Sequence, residues 1–179
     1  MKTLIVYTSQ TGFTKRYAEW IAEKTNADIL DLKDAQRKDK SFFDKYSAIA
    51  YGGWAMAGKT AKVKWFLDKA DAWKDKRLAV FCVGGSPNDN PDTDKALHDM
   101  LTDEQKEYIR AFYCQGGFNY DKMNATSKLA MKVFVTALKN KKKNPTEDEK
   151  KMIEMISQSY DISDIRFTEP IVEYLVKGE

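Results

Sequence analysis

Apolar residues along the chain form five short runs, separated by stretches in which they recur every three or four positions. Short apolar runs rich in β-branched residues are typical of buried parallel strands, and the three-to-four spacing is typical of amphipathic helices. We therefore predict strands at 4–7, 27–32, 48–51, 77–83 and 108–114, with helices between them, one of which spans 59–70. Such alternation predicts a parallel sheet with helices on both faces, connected by right-handed crossovers.

The first strand, its loop and the helix that follows contain the strongest candidate chemistry. The loop carries three hydroxyl side chains, at Ser9, Thr11 and Thr14, and no acid or base between them. Hydroxyl groups and free backbone amides at a helix N-terminus favour binding of an anion. Gly12 lets the backbone approach such a ligand closely. The alternative is an ordinary strand-to-helix turn capped by a hydroxyl residue.

The same stretch carries a family resemblance. The pattern Ile5-Val6-Tyr7-x-Ser9-x-x-Gly12-x-Thr14-x-x-x-Ala18-x-x-Ile21 resembles the phosphate-loop signature of flavodoxins. The resemblance implies a flavodoxin-like three-layer α/β/α sandwich, with a five-stranded parallel sheet of order 2-1-3-4-5. It also implies that the cofactor is flavin mononucleotide (FMN), whose phosphate would be wrapped by Ser9, Gln10, Thr11, Gly12, Phe13 and Thr14. It covers most of residues 1–117 and 165–177.

Two further loops, each beginning with paired glycines, leave the carboxyl ends of strands, where ligands of this fold bind. The resemblance implies that the second loop places an apolar side chain against the flavin ring. Its candidate residues are Gly53, Trp54, Ala55, Met56, Ala57 and Gly58. Trp54 and Met56 are flat or polarizable enough to stack on a ring, although they could instead fill the core.

The third loop begins with Gly84, Gly85 and Ser86, which offer only backbone groups and one hydroxyl. Another part of the chain could therefore cover that side of the flavin, and we expect Phe118, Tyr120 and Met123 to do so. The three loops contain no obvious catalytic acid or base, so no catalytic residue is predicted.

Residues 120–160 are predicted to form a helical insertion before a last helix at 170–176. Apolar residues at helical spacing in this segment are Leu129, Ala130, Val133, Phe134, Ala137 and Leu138. We expect this apolar stripe to pack on the domain, and contact with a membrane surface is the less favoured alternative. A lysine run, Lys139 to Lys143, follows, and Thr146 and Glu149 have the spacing of a capping box that begins a second helix.

We expect the insertion to lie beside the cofactor and to supply the surface for a partner or substrate. A tolerated insertion with its own small helical cap is the alternative. The long segment also resembles, loosely, the branch of the family that includes menaquinone-dependent protoporphyrinogen oxidases.

Composition and charge narrow the classes of protein to which the chain could belong. The 179 residues indicate one domain, 1–179, and the net charge of +3 differs from the acidic balance of typical flavodoxins. No nucleic-acid recognition motif is present, and apolar runs are far shorter than the ~20 residues of a membrane span. Cys82 and Cys114 are expected to be buried thiols, and with His98 as the only histidine no metal site is predicted. We expect a cytoplasmic protein.

The sequence thus predicts an FMN-binding, flavodoxin-like redox protein that transfers one or two electrons. Its partner would be a redox protein or a small-molecule or quinone substrate. The alternatives are a flavin-dependent oxidoreductase that acts on a small molecule with a quinone partner, and a flavodoxin-fold protein that binds no flavin and acts through interactions.

Overall fold

A computed structural model describes residues 2–56, 58–141 and 146–178. Its strands are β1 (Thr3–Tyr7), β2 (Asp28–Asp31), β3 (Ala48–Met56), β4 (Lys59–Thr60), β5 (Arg77–Gly84), β6 (Ile109–Gln115), β7 (Gly117–Phe118) and β8 (Tyr160–Asp161). Its α-helices are α1 (Phe13–Thr25), α2 (Leu32–Ala35), α3 (Lys40–Asp44), α4 (Lys64–Ala70), α5 (Pro91–Met100), α6 (Asp103–Lys106), α7 (Ala125–Lys141), α8 (Glu147–Ile156) and α9 (Glu169–Lys177). Two short 3-10 helices lie at Asp71–Trp73 and Ile165–Thr168.

The main sheet has five parallel strands in the order β2-β1-β3-β5-β6. Because β4 is a short strand that pairs only with β3, this order is the predicted 2-1-3-4-5 of the long strands. The predicted flavodoxin-like α/β fold is therefore confirmed. The strands β7 and β8 form a separate antiparallel pair, which we call the ribbon.

Side chains of successive strand residues enter two different cores, one on each face of the sheet. In β1, Leu4 and Val6 lie in one core and Ile5 lies in the other. The core that contains Ile5 is covered by α1 and α9, through buried residues such as Tyr17 and Ile171. This alternation produces the helix–sheet–helix layers, because each face buries its own apolar set.

The third strand is longer than predicted. It does not end at the paired glycines but continues to Met56 and turns back through the antiparallel β4. The Ala61 amide donates to the Trp54 carbonyl at 2.8 Å, which extends this pairing by one residue. The helix predicted from Lys59 consequently begins only at Lys64.

The two predicted helices of the insertion are present, and the capping box at Thr146 and Glu149 forms as expected. The expected packing of the apolar stripe of α7 is wrong. Leu129 and Val133 are 63% and 61% exposed, whereas Val135 is buried. The helix is turned so that a neighbouring row of side chains faces inward, and its main partner is α8.

None of the helices in the described ranges has both the length and the apolar character that crossing a bilayer requires. Ala57 of the predicted second loop and Lys142 and Lys143 of the lysine run lie outside the described residues.

Candidate functional site

The first loop lies between the end of β1 and the start of α1. Gly12 adopts the left-handed conformation, with φ of 103°, which favours glycine at this position. Its amide donates to the Ser9 hydroxyl oxygen at 3.2 Å, so the loop closes on itself. No side chain caps α1, and its first turn contains no acid. The positive end of the helix dipole is therefore open to an anionic ligand.

The hydroxyl groups of this loop differ in their surroundings. Thr14 is only 1% exposed, at the second position of α1, and Thr11 is half-buried. Neither hydroxyl makes a hydrogen bond within the described part of the chain, so both are available to a ligand. Phe13 packs its ring in the core, which leaves only its backbone amide for binding, and Gln10 is half-buried.

The second loop is the hairpin formed by the end of β3 and by β4. Trp54 pairs with Val83 of β5 and is half-buried, so part of the indole ring reaches the surface at the carboxyl end of the sheet. Ala55 and Met56 are exposed, and Met56 is 58% exposed. Gly58 turns the hairpin with φ of 75°. Met56 therefore projects away from the core, as a side chain that contacts a ligand or partner would.

The third loop is held rigidly to the end of β6. The Tyr113 hydroxyl accepts from the Ser86 amide at 3.0 Å and donates to the Ser86 carbonyl at 2.9 Å. The Asn88 side chain accepts a hydrogen bond from the Gln115 backbone amide at 2.7 Å and donates one to the Tyr113 carbonyl at 3.1 Å. These long-range bonds fix the loop backbone from both ends, so its amides have set directions.

The ribbon lies against the third loop. The Tyr160 hydroxyl donates to the Gly85 carbonyl at 2.6 Å, and the rings of Phe118 and Tyr160 meet edge to face at 5.4 Å. A Cβ atom at Gly85 would lie 2.7 Å from the Tyr160 oxygen and 2.8 Å from the Phe118 ring, so only glycine fits. We call Phe118 and Tyr160 the aromatic wall. Tyr120, also predicted here, instead directs its hydroxyl to the Ile156 carbonyl.

A second set of contacts ties the ribbon to α1. The Arg16 guanidinium donates to the Asp161 carboxylate and to the Ser163 hydroxyl, both at 2.6 Å. Burial raises the pKa of Asp161, but hydrogen bonds from Ser163 and Arg16 outweigh it and leave the pKa below its usual value. The Tyr17 hydroxyl donates to the Gln115 carbonyl at 2.6 Å. The end of the insertion is thus fixed beside the first loop.

The two cysteine thiols are buried and are not expected to be reactive. Burial raises the pKa of Cys82 to about 11 and raises that of Cys114 as well, so both are protonated at neutral pH. Within the described ranges, no group of three or more His, Cys, Asp or Glu side chains is placed to hold a metal ion.

A comparison of the sequence with models of protein families agrees with the fold and the candidate site described above. The family model described as flavodoxin domain matches residues 4–146, which is most of the chain. The chain belongs to the flavodoxin family. No curated protein matches it in sequence.

Three similar solved structures are distant in sequence from this flavodoxin-family chain. A WrbA-like flavodoxin from Agrobacterium tumefaciens is 21% identical, with a TM-score of 0.50 over 71% of this chain and 87% of that one. A flavoprotein in complex with FMN from Lactobacillus acidophilus is 20% identical, with a TM-score of 0.46 over 64% and 91%. Oxidised flavodoxin 1 from Bacillus cereus is 16% identical, with a TM-score of 0.45 over 73% and 90%.

Several residues that shape the site escaped the sequence prediction. They are Arg16, Asn88, Tyr113, Gln115 and Tyr160, and their contacts join positions distant in sequence. The paired glycines were the only signal in the sequence. A glycine indicates that another group packs closely on the backbone, but it does not identify which side chain does so.

Proposed function

We propose that this flavodoxin-family chain binds FMN at the carboxyl edge of the sheet and transfers one or two electrons. The observation that carries the proposal is the first loop, where an uncapped helix N-terminus faces outward beside free hydroxyl groups. That combination suits a phosphate monoester. Family membership supports the same cofactor.

The donor set fits the phosphate of FMN. The hydroxyls of Thr11 and Thr14 and the amides at the start of α1 donate hydrogen bonds to phosphate oxygens. The nearest arginine, Arg16, is already paired with Asp161, so its charge is largely neutralised. The loop therefore recognises the phosphate by hydrogen bonds and the helix dipole rather than by a cation.

The ring of the cofactor has two aromatic surfaces available to it. Trp54 of the hairpin is half-buried at one loop, and the aromatic wall stands beside Gly85 at another. Bound FMN supplies the redox chemistry, while these side chains orient the ring and exclude water. The rigid third loop presents backbone groups of fixed direction to the ring edge.

The electron partner is either another redox protein or a small molecule such as a quinone. Met56 at the exposed hairpin tip and the insertion beside the site are the candidate contact surfaces. The net charge of +3 favours an acidic partner surface or an anionic substrate over a basic one.

The test begins with the cofactor of the purified protein, identified by absorbance and by mass spectrometry after release. We expect FMN, and FAD as the dominant species would contradict the proposal. Thr11→Val and Thr14→Val should each weaken FMN binding by about 1.5–3 kcal/mol, since each removes a hydrogen bond to a charged group. Thr25→Val, the same change at the far end of α1, is the matched control and should leave FMN affinity unchanged.

A further inference from the structure

The outer side of α7 exposes an apolar surface without a partner in the described part of the chain. Leu129, Val133 and Phe134 are 63%, 61% and 51% exposed and lie within two turns of the helix. We call these three residues the open face. The opposite side of α7, which includes Val135, packs on α8, so helix packing does not require the open face.

The charge of α7 is entirely of one sign. Its sequence holds four lysines and no acid over 17 residues. Within the described ranges, Lys128, Lys132 and Lys139 make no ion pair, whereas exposed lysines elsewhere, such as Lys64 and Lys177, pair with an acid four residues away on their own helix. The helix therefore presents lysines outside any ion pair of the described residues next to exposed apolar groups.

Helical geometry places these two features side by side. At 100° per residue, Leu129 and Val133 lie 40° apart around the axis, and Lys132 flanks Leu129 on the other side. Lys128 and Lys139 share the sector of Lys132. One edge of the open face is thus lined by lysines along most of a helix that is roughly 25 Å long.

We propose that the open face of α7 docks on an anionic lipid surface, with its apolar side chains at the acyl boundary and its lysines among the headgroups. A helix that lies in the plane of a membrane needs this division into apolar and basic sectors. A lipid surface is favoured over a protein partner because the apolar groups project from one helix, and the open depression beside Leu129 and Val133 is lined by residues of that helix alone. The proposal does not depend on the flavin.

The experiment uses the full-length protein and sedimentation with vesicles. We expect binding to vesicles of phosphatidylcholine with 30% phosphatidylglycerol, no binding to pure phosphatidylcholine, and loss of binding as salt screens the lysines. Lys128→Gln/Lys132→Gln/Lys139→Gln should lower the partition coefficient about 100-fold, from roughly a fivefold contribution of each lysine. Lys24→Gln/Lys33→Gln/Lys40→Gln removes equal charge from exposed sites elsewhere and should leave binding within about twofold.

The apolar contribution has its own pair of variants. Leu129→Gln/Val133→Gln should reduce binding at least about tenfold, whereas Ile165→Gln/Val176→Gln, which changes two exposed apolar residues elsewhere, should not.

Absence of vesicle binding at low salt overturns the proposal, as does an equal loss in test and control variants. Binding to poly-glutamate without binding to vesicles would assign the face to an acidic protein. A dimer in sedimentation velocity that Leu129→Gln/Val133→Gln dissolves, again without vesicle binding, would assign it to a second copy of the chain. Either result overturns lipid docking.

Discussion

Ile171 on α9 and Ile156 on α8 occupy contrasting surroundings. Ile171 has no exposed surface and packs between α1 and the sheet, in a core built from several elements. Ile156 is 8% exposed, and its helix has α7 as its main partner. The sheet layers therefore bury side chains from many directions, whereas the insertion buries them only where two helices meet.

The insertion is fastened to the sheet and to α1 chiefly by polar groups at and just after its C-terminal end. Tyr160 bonds to Gly85, Asp161 bonds to Arg16, and the Ile162 carbonyl accepts from the Gln115 amide side chain at 2.7 Å. The contrast indicates that the insertion is held beside the candidate site without sharing its core. Its outer helix face is consequently left for another surface.

The largest expected effect is a difference between two identical substitutions. Ile171→Ala should destabilise the protein by about 2–5 kcal/mol, because the core around it cannot collapse into the cavity. Ile156→Ala should cost about 1–2 kcal/mol, because the partly open site between two helices can relax. Urea unfolding measures both.

Hydrogen exchange separates the two regions further. Ile156→Ala should speed amide exchange within 125–156 and leave the strands of the sheet protected, since local opening follows local packing. Equal losses of global stability in the two variants would show that the insertion is part of the main core, and the contrast would then be wrong.

A smaller effect is expected at the polar fastening. The pKa of Asp161 is lowered in the folded protein, so its contribution to stability is present above its ordinary value near 3.8 and is lost as the pH falls through the folded pKa. Asp161→Asn should therefore cost about 0.2–1 kcal/mol at pH 7, as expected for a partly exposed ion pair. The difference from the wild type should shrink as the pH falls below 3.8.

Urea unfolding at pH 7, 5 and 3.5 tests this dependence. Asp89→Asn alters an exposed carboxylate outside the ion pairs of the described residues and should change little at any of these pH values. A gap between wild type and Asp161→Asn that persists unchanged at pH 3.5 would contradict an electrostatic origin.

The sheet was predictable because each long strand is an apolar run, and such a run can be recognised from residues that are adjacent in the sequence. The order of the strands followed from the resemblance carried by residues 5–21. The hairpin after Gly53 was missed because its pairing depends on residues 59–61, which read as the start of a helix. The orientation of α7 was missed because periodicity identifies an apolar stripe but does not say whether a partner covers it.

The candidate site was predictable only where its residues are adjacent in sequence. The first loop is one continuous motif, so Ser9 and Thr14 could be named directly. Tyr160 reaches Gly85 across 75 positions, and Arg16 reaches Asp161 across 145, distances over which no local pattern acts. Such contacts are decided by the folded topology, which brings the carboxyl ends of parallel strands together.

The most direct test of the central claim compares FMN with riboflavin, which lacks the phosphate. The apoprotein is titrated with each ligand and flavin fluorescence is followed. If the first loop holds the phosphate, FMN should bind roughly 100-fold or more tightly than riboflavin, from at least two charge-assisted hydrogen bonds. The advantage should largely vanish in Thr11→Val/Thr14→Val. Equal affinity for the two ligands in the wild-type protein would show that the loop does not bind the phosphate and would contradict the account.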